Sequence, residues 1–363
     1  MIIKSLKLSN YRNYDSLEID FDESINILYG NNAQGKTNIL EAIYLSGTTR
    51  SHKGSKDKEI IKFGCEESHI CVNVEKEERD FQIDIHLRKN KSKGIAVNKV
   101  PIKKASEVFG ILNIVVFSPE DLAIIKAGPI ERRKFMDSEL CQLDKVYLYD
   151  LSIYNKALNQ RNKLLKDINY NPSLKETLDV WDRQIIDYGK KVIERRRIFV
   201  KKLNEIIKTI HENITENKES LNIIYEENVS AEDYEREFFN SRDKDIRFGS
   251  THIGPHRDDL CFEVNNVDMR KYGSQGQQRT CALSLKLAEI ELVKETVKQK
   301  PVLLLDDVLS ELDSDRQNLL LNQIEDIQTI ITCTGVEDFI KNRFKINKIF
   351  QVENAKVTIK ESL

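Results

Sequence analysis

At 363 residues the chain is long enough for about two domains of roughly 150 residues each, which excludes a small scaffold stapled by disulfides or metals. With 40% hydrophobic and 32% charged residues, 14 glycines and 6 prolines, it is too apolar for a disordered chain and too poor in glycine for a fibrous one. Its 57 basic and 59 acidic residues leave a net charge of -2, so a nucleic-acid partner would have to be met by a local basic patch.

The opening reads as strands and turns, with Leu17, Ile19 and Phe21 alternating at period two. Ile25 to Tyr29 (INILY) is a short apolar strand that runs into GNNAQGKT and then into a helix whose Ile39, Leu40 and Ile43 share a face. Alternation returns from Cys71 to Val100, as hairpins with charged turns, and Ile111 to Phe117 reads as another buried strand.

From Pro129 to about His211, apolar residues recur every three or four positions, through Tyr147, Leu151, Tyr154, Leu158 and Leu165 and then Leu178, Trp181, Ile185, Val192, Phe199 and Leu203. The spacing predicts two long helices, each on the order of 40 to 50 Å, folded back on one another at Asn171-Pro172. Two readings stay open: helices packed on a globular lobe, or a projecting coiled coil.

An acidic, irregular stretch follows around Ser230 to Asp245, strand character resumes from Thr251, and a helix starts near Ser274. The end alternates strands and helices as VLLLDD, TIITCTG, FIKNRF and KIFQVE, suiting the far edge of a sheet begun before residue 30. The cysteines (Cys65, Cys71, Cys141, Cys261, Cys281, Cys333) are scattered without zinc-like spacing, which predicts free thiols. No run approaches the roughly 20 apolar residues of a membrane span, and the charged opening lacks a cleavage site, so a cytoplasmic location is expected.

Gly30-Asn31-Asn32-Ala33-Gln34-Gly35-Lys36-Thr37 fits G-x-x-x-x-G-K-[ST], in the strand-to-helix context that a phosphate loop requires. Glycines let backbone N–H groups converge on phosphate, the helix N-terminus adds its dipole, Lys36 neutralises β- and γ-phosphate charge, and Thr37 offers a hydroxyl to Mg²⁺. Val302 to Leu305 form an apolar strand ending in Asp306, suited to the metal, and Asp307, suited to polarising a water. Ser274-Gln275-Gly276 opens the next helix upstream, where Ser274 is a good N-cap and the same N-terminus can take a phosphate from outside.

Phosphate loop, Ser274 helix, hydrophobic-Asp-Asp and then Ser310-Glu311-Leu312-Asp313 is the order of SMC-like ATP-binding-cassette ATPases. The segments LSNYRNY, GNNAQGKTNILEAIY, SKDKEII, VVFSPEDL, GPIERRKFMD, THIGPHRDDL, SQGQQRTCALSLKLAE and LLLDDVLSELD resemble the RecF family over nearly the whole chain. The resemblance implies an α/β fold, a P-loop ABC/SMC-like ATPase head with an inserted, mainly helical lobe. It also implies a split core lobe (1–117 and 299–363, carrying both nucleotide motifs) and a second lobe (118–298) with the helical hairpin at about 130–211 and the signature helix from 274.

The implied activity is an ATP-dependent, DNA-binding protein of replication, recombinational repair and SOS induction, with ATP and Mg²⁺ as cofactors. RecO and RecR are the implied partners, and an ATP-driven homodimer the working form. Carried over by residue, Lys36 and Thr37 serve phosphate and magnesium, Asp306 the metal, and Asp307 the catalytic-base position. Arg12 flanks the nucleotide, while Ser274, Gln275 and Gly276 reach the γ-phosphate bound by a second copy, and Asp313 lies in the dimer-facing loop.

The chain departs from the wider cassette pattern at three points. Asp307 stands for the usual glutamate, which predicts slow hydrolysis; Thr334 stands where histidine is usual; and Ser118-Pro119-Glu120-Asp121 holds no glutamine, leaving Glu120 or Asp121 for any metal or water contact. The missing glutamine, the threonine at the histidine position and the helical insertion weigh against a transporter's nucleotide-binding subunit, and GPIERRKFMD and THIGPHRDDL weigh against another SMC-like repair ATPase. Basic residues cluster at Arg50, Lys53, Lys56, Lys58 and Lys62, at Lys89, Lys91 and Lys93, at Arg132, Arg133 and Lys134, and at Arg195, Arg196 and Arg197. Each is either a solvated face or, repeated in a dimer, part of a groove for DNA phosphates without base readout.

Overall fold

The computed structural model describes residues 1–324, 326–334 and 347–360, in two compact units: Met1–Asp121 with Glu289–Leu363, and Leu122–Ala288. The expected FIKNRF helix lies outside the described residues.

Two six-stranded sheets organise the first unit. One is antiparallel throughout and contains Ile2–Tyr11, Tyr14–Asp20, Glu67–Lys76, Arg79–Arg88, Lys91–Val97 and Val100–Pro101. Its alternation is the period-two pattern of the sequence: Leu17 and Ile19 turn inward while their neighbours stay in solvent. The other sheet runs Lys356–Lys360, Lys348–Glu353, Ile25–Tyr29, Thr329–Cys333, Val302–Asp306, Ile114–Phe117, parallel except for the first strand. Its inner strands are apolar along almost their full length because parallel strands are covered on both faces.

The helix Lys36–Thr48 is part of one apolar core with residues of both sheets, among them Leu6, Val72, Leu28, Leu304 and Ile330. Its burial therefore goes past the predicted Ile39, Leu40 and Ile43 face to include Glu41, Leu45, Ser46 and Gly47. A Cβ at Gly47 would stand 2.8 Å from Ile114 Cδ1, so this packing depends on glycine.

In the second unit the long apolar pattern resolves into three helices, Pro129–Leu143, Lys145–Ile168 and Leu178–Ile214, where the sequence predicts two. Asp144 makes the extra break: its carboxylate accepts the N–H groups of Val146 and Tyr147 and caps the second helix. The chain turns back at Asn171-Pro172, with Tyr147 opposite Arg196 and Arg161 opposite Asp182. Its arms are unequal, about 36 Å and about 55 Å for 24 and 37 residues.

The hairpin packs on a lobe: Tyr154, Leu158, Ile185 and Ile193 share a core with Val229, Tyr234 and Phe238. Of the two readings left open, the coiled coil that projects is set aside. The stretch read as acidic and irregular forms the helices Tyr234–Asn240 and Arg242–Phe248, and Leu221–Glu226 is a strand the sequence pattern did not announce. That strand pairs antiparallel with Asp259–Val264, which begins eight residues later than the Thr251 expected, because Thr251 to Asp258 are spent on side-chain contacts. All six cysteines are free thiols.

Candidate nucleotide-binding site

The parallel strands Ile25–Tyr29, Thr329–Cys333 and Val302–Asp306 are neighbours and end together, and open α/β sheets bind ligands beyond such carboxyl ends. Gly30 to Gly35 turn the chain there. A Cβ on Gly30 would stand 2.2 Å from the Val352 carbonyl oxygen, and Gly35 holds φ +113° against the Tyr14 hydroxyl, so side chains are excluded at both ends of the loop. Asn31, Asn32 and Ala33 form its exposed crest, and Gln34 is tied back by Asn13 Nδ2 on its carbonyl (3.1 Å) and the Asn354 N–H on its Oε1 (2.6 Å).

Lys36 is 4% exposed and folds over the loop, its Nζ donating to the carbonyls of Gly30 (2.7 Å) and Asn31 (3.1 Å). One residue on, Thr37 Oγ1 donates to Asp306 Oδ1 at 2.8 Å, bringing together groups 269 residues apart. Thr332, on the intervening strand, donates to the same oxygen at 2.8 Å and accepts the Asp307 N–H at 3.0 Å. Thr334, at the position expected for histidine, is exposed, and Thr332 was not among the expected site residues; the available signal was its place near the end of TIITC, one strand from Asp306. Two hydroxyls and a carboxylate are hard oxygen donors suited to Mg²⁺.

Asp307 is half-buried in the left-handed region (φ 53°). Burial raises its carboxyl above the ordinary aspartate value; Lys36 opposes that shift and Asp306 adds to it. A carboxylate so perturbed beside a lysine and a second carboxylate has the character of a base. Glu120 is exposed, whereas Asp121 accepts the Ser118 N–H (2.7 Å) and closes its own turn. His52, absent from the sequence reading, is lowered by burial against the pull of Glu41, Asp306 and Glu120.

Arg12 grips Glu41 with two donors, Nε to Oε2 (2.7 Å) and Nη2 to Oε1 (2.6 Å), and donates further to Ser55 Oγ and the Glu59 carbonyl. It also borders, with Asn13, Asn38, Lys62 and the fully exposed Phe63, a cleft of about 660 Å³. Asn38 Nδ2 bonds Asn13 Oδ1 at 2.9 Å, and Asn13 in turn holds the Gln34 carbonyl, so the cleft adjoins the phosphate loop. Its lining is largely charged, with Lys58, Glu59 and Lys89 beside Arg12 and Lys62.

In the second unit Ser274, Gln275 and Gly276 are exposed at the start of the helix Gln275–Val297. Ser274 Oγ accepts the Gln277 N–H (3.2 Å) while Gln277 Oε1 accepts the Ser274 N–H (3.1 Å), a reciprocal capping box. Asp313 caps the helix Ser314–Ile324 through the Arg316 N–H (3.0 Å), and that bond holds its carboxyl below the ordinary range.

In two of the four basic clusters the arginines are bonded within the protein. Arg132 is 1% exposed and forks onto Asp259, and Arg133 donates to the Asp258 carbonyl. Arg196 is 2% exposed and bonds Asp258, Asp137 and the Pro255 carbonyl; Arg195 pairs with Asp144, and Arg197 with Glu227 and Glu232. Their carboxylates lie 30 to 127 residues away or on another turn of helix, so a run of like charge in the sequence concealed a set of ion pairs. GPIERRKFMD and THIGPHRDDL are thereby joined to each other.

Residues 2–358 match the family model described as the RecF/RecN/SMC N terminal domain. The chain is 62% identical over 359 residues to the DNA replication and repair protein RecF of Agathobacter rectalis, covering 99% of each, and 48% identical to that of Clostridium tetani, covering 98% of each. It resembles the solved structure of the recombination mediator protein RecF with ATP, in the RecFOR pathway, with a TM-score of 0.92 and 36% identity over 99% of this chain and 98% of that one. The Smc head domain from Pyrococcus furiosus, bound to the C-terminal domain of ScpA, matches at 16% identity and a TM-score of 0.56 over 99% of this chain and 96% of that one, a likeness of fold.

Proposed function

The chain belongs to the RecF family, within the RecF/RecN/SMC N-terminal domain class, and on that footing we propose that it is an ATP-dependent DNA-binding ATPase of replication and recombinational repair. The observation that carries the ATPase part is the meeting of Lys36, Thr37, Asp306 and Asp307 at the carboxyl ends of adjacent parallel strands. Lys36 exchanges the Gly30 and Asn31 carbonyls for phosphate oxygens, and the N–H groups from Gly30 to Thr37 receive the rest of the phosphate charge. Thr37 and Asp306, steadied by Thr332, would hold Mg²⁺, which neutralises charge between β- and γ-phosphates. Asp307 orients a water and takes its proton; one methylene shorter than glutamate, it makes a slow base. Arg12, at the border of the cleft that adjoins the phosphate loop, flanks the nucleotide.

Ser274, Gln275 and Gly276, exposed at a helix start, serve the γ-phosphate held by a second copy, so that ATP closes a homodimer and hydrolysis opens it. Asp313 stands in the loop facing that copy. The closed dimer binds DNA at gaps and junctions of single and double strand through phosphate contacts, works with RecO and RecR in recombinase loading and SOS induction, and resides in the cytoplasm. DNA stimulates its weak turnover.

The test is ATP turnover against protein concentration, with and without gapped DNA. Specific activity should rise with both, and Ser274→Arg should keep nucleotide binding while losing ATP-driven dimerisation in light scattering. Activity independent of concentration and DNA, or a Ser274→Arg protein that still dimerises, would refute the composite site.

A further inference from the structure

Glu41 lies five residues beyond Lys36 on the helix that follows the phosphate loop, is completely buried, and carries four contacts. Oε1 accepts from Arg12 Nη2 (2.6 Å) and Ser51 Oγ (2.5 Å); Oε2 accepts from Arg12 Nε (2.7 Å) and the Tyr11 hydroxyl (3.3 Å). The remaining reach of Arg12 goes to Ser55 Oγ (2.7 Å) and the Glu59 carbonyl (2.9 Å). The segment from Arg50 to Glu59 is therefore held at three points by one partly buried ion pair. Such a pair adds little stability over an apolar filling of the same volume, but it holds the segment in one place while intact.

The outer side of this segment has the opposite character. Arg50, Lys53, Lys56 and Lys58 are exposed, and none has a carboxylate partner among the described residues. The two acids of the segment are occupied: Asp57 by Lys93 (3.1 Å), which also donates to the Thr49 carbonyl (2.6 Å), and Glu59 by the Lys56 N–H (2.9 Å). Four cations within nine residues, on a loop pinned to the neighbouring strand Lys91–Val97, fit a ligand with closely repeated phosphates; duplex DNA offers one charge per ~1.7 Å. His52 of the same loop lies within electrostatic reach of Asp306.

We propose that Glu41 is a positioning residue through which a DNA backbone seated on Arg50, Lys53, Lys56 and Lys58 alters nucleotide affinity at the phosphate loop. The inference rests on the ATP and DNA reading above. DNA draws the loop outward, the Ser51 and Ser55 contacts loosen, and the Arg12–Glu41 pair shifts against the helix that carries Lys36 and Thr37. Coupling of this kind is reciprocal, so nucleotide changes DNA affinity by the same factor.

The test titrates a fluorescent ATP analogue into the full chain with and without a duplex oligonucleotide of about 30 base pairs, a length chosen to exceed the loop's reach. Wild type should show a coupling of about fivefold or more. Lys53→Glu with Lys56→Glu should lower DNA affinity about tenfold or more and leave nucleotide affinity without DNA unchanged. Glu41→Gln should bind each ligand alone within about threefold of wild type, yet reduce the coupling below about twofold. Ser51→Ala with Ser55→Ala keeps the ion pair, and should lose coupling even where Glu41→Gln fails to fold. A wild-type coupling of one, full coupling in the serine variant, or unchanged DNA affinity in the lysine variant would overturn the proposal. Wild type that binds no ATP or no DNA would instead refute the proposed function itself.

Discussion

The corner around Lys36 and the network around Arg161 and Arg196 are both built from charged residues, and they differ in where their bonds go. Lys36 rests on two backbone carbonyls, and Asp307 is half-buried beside a like-charged neighbour. In the second unit Arg161 is fully buried and bonds Asp182 (2.6 Å), Asp245 (2.7 Å) and Thr251 (2.8 Å), with its guanidinium 4.5 Å from the Phe238 ring centre. Arg196 is likewise placed among Asp137, Asp258 and Tyr147. A charge whose bonds are to replaceable carbonyls is poised for a ligand; one enclosed by carboxylates holds the fold.

Arg161→Met puts the largest strain on this distinction. It takes from the buried Asp182 and Asp245 the cation they share, leaving Arg242 (3.5 Å) and His252 (2.7 Å) beside them, and a loss of about 3–5 kcal/mol in urea unfolding is expected, since breaking a buried pair costs that much. A loss under about 1 kcal/mol, the scale of an exposed pair, would show that the network is not a fold determinant. Lys36→Ala should do the reverse, weakening ATP binding by about 100-fold, equivalent to about 2.7 kcal/mol, with little change in unfolding. Calorimetric titration and a melt of the same sample separate the two effects.

A pH series sharpens the contrast further. His256 is held neutral by burial, its value pushed down to about 4 from the ordinary 6.5, between the Tyr154 hydroxyl (2.6 Å) and the Thr251 carbonyl (3.0 Å). Between those values the unfolded chain binds the proton and the folded one does not, so stability contributed by this site falls as pH drops from about 6.5 toward 4. His256→Gln should flatten that part of the profile. Asp307, whose carboxyl is raised, predicts instead that ATP turnover falls on acidification at a pH above that of an ordinary aspartate. The smallest effect belongs to Thr332→Val, which removes one hydroxyl from Asp306. Turnover should drop about fivefold, roughly the worth of one hydrogen bond, and the loss of the acceptor for the Asp307 N–H should lower unfolding stability by about 1 kcal/mol; equal turnover would remove Thr332 from the site.

Residues near one another in the chain determined what could be read without a structure. A glycine-framed turn between an apolar strand and a helix is a local backbone matter, so Gly30 to Thr37 could be identified from spacing, and Asp306 and Asp307 from the end of an apolar run. The Ser274 cap was legible for the same reason, as was the return at Asn171-Pro172. The break at Asp144 was missed because the apolar periodicity continues across a cap that only its hydrogen bonds reveal.

Tertiary structure alone decided which charges meet. Thr332 joins the site because its strand lies between Ile25–Tyr29 and Val302–Asp306, an order that no local pattern contains. Arg132 and Arg196 read like Lys53 and Lys56 in the sequence, yet the first two are enclosed by carboxylates and the last two are not. The reason is physical: helix, turn and strand preferences act over a few residues, whereas the electrostatic fate of a side chain depends on what the fold brings within about 4 Å of it.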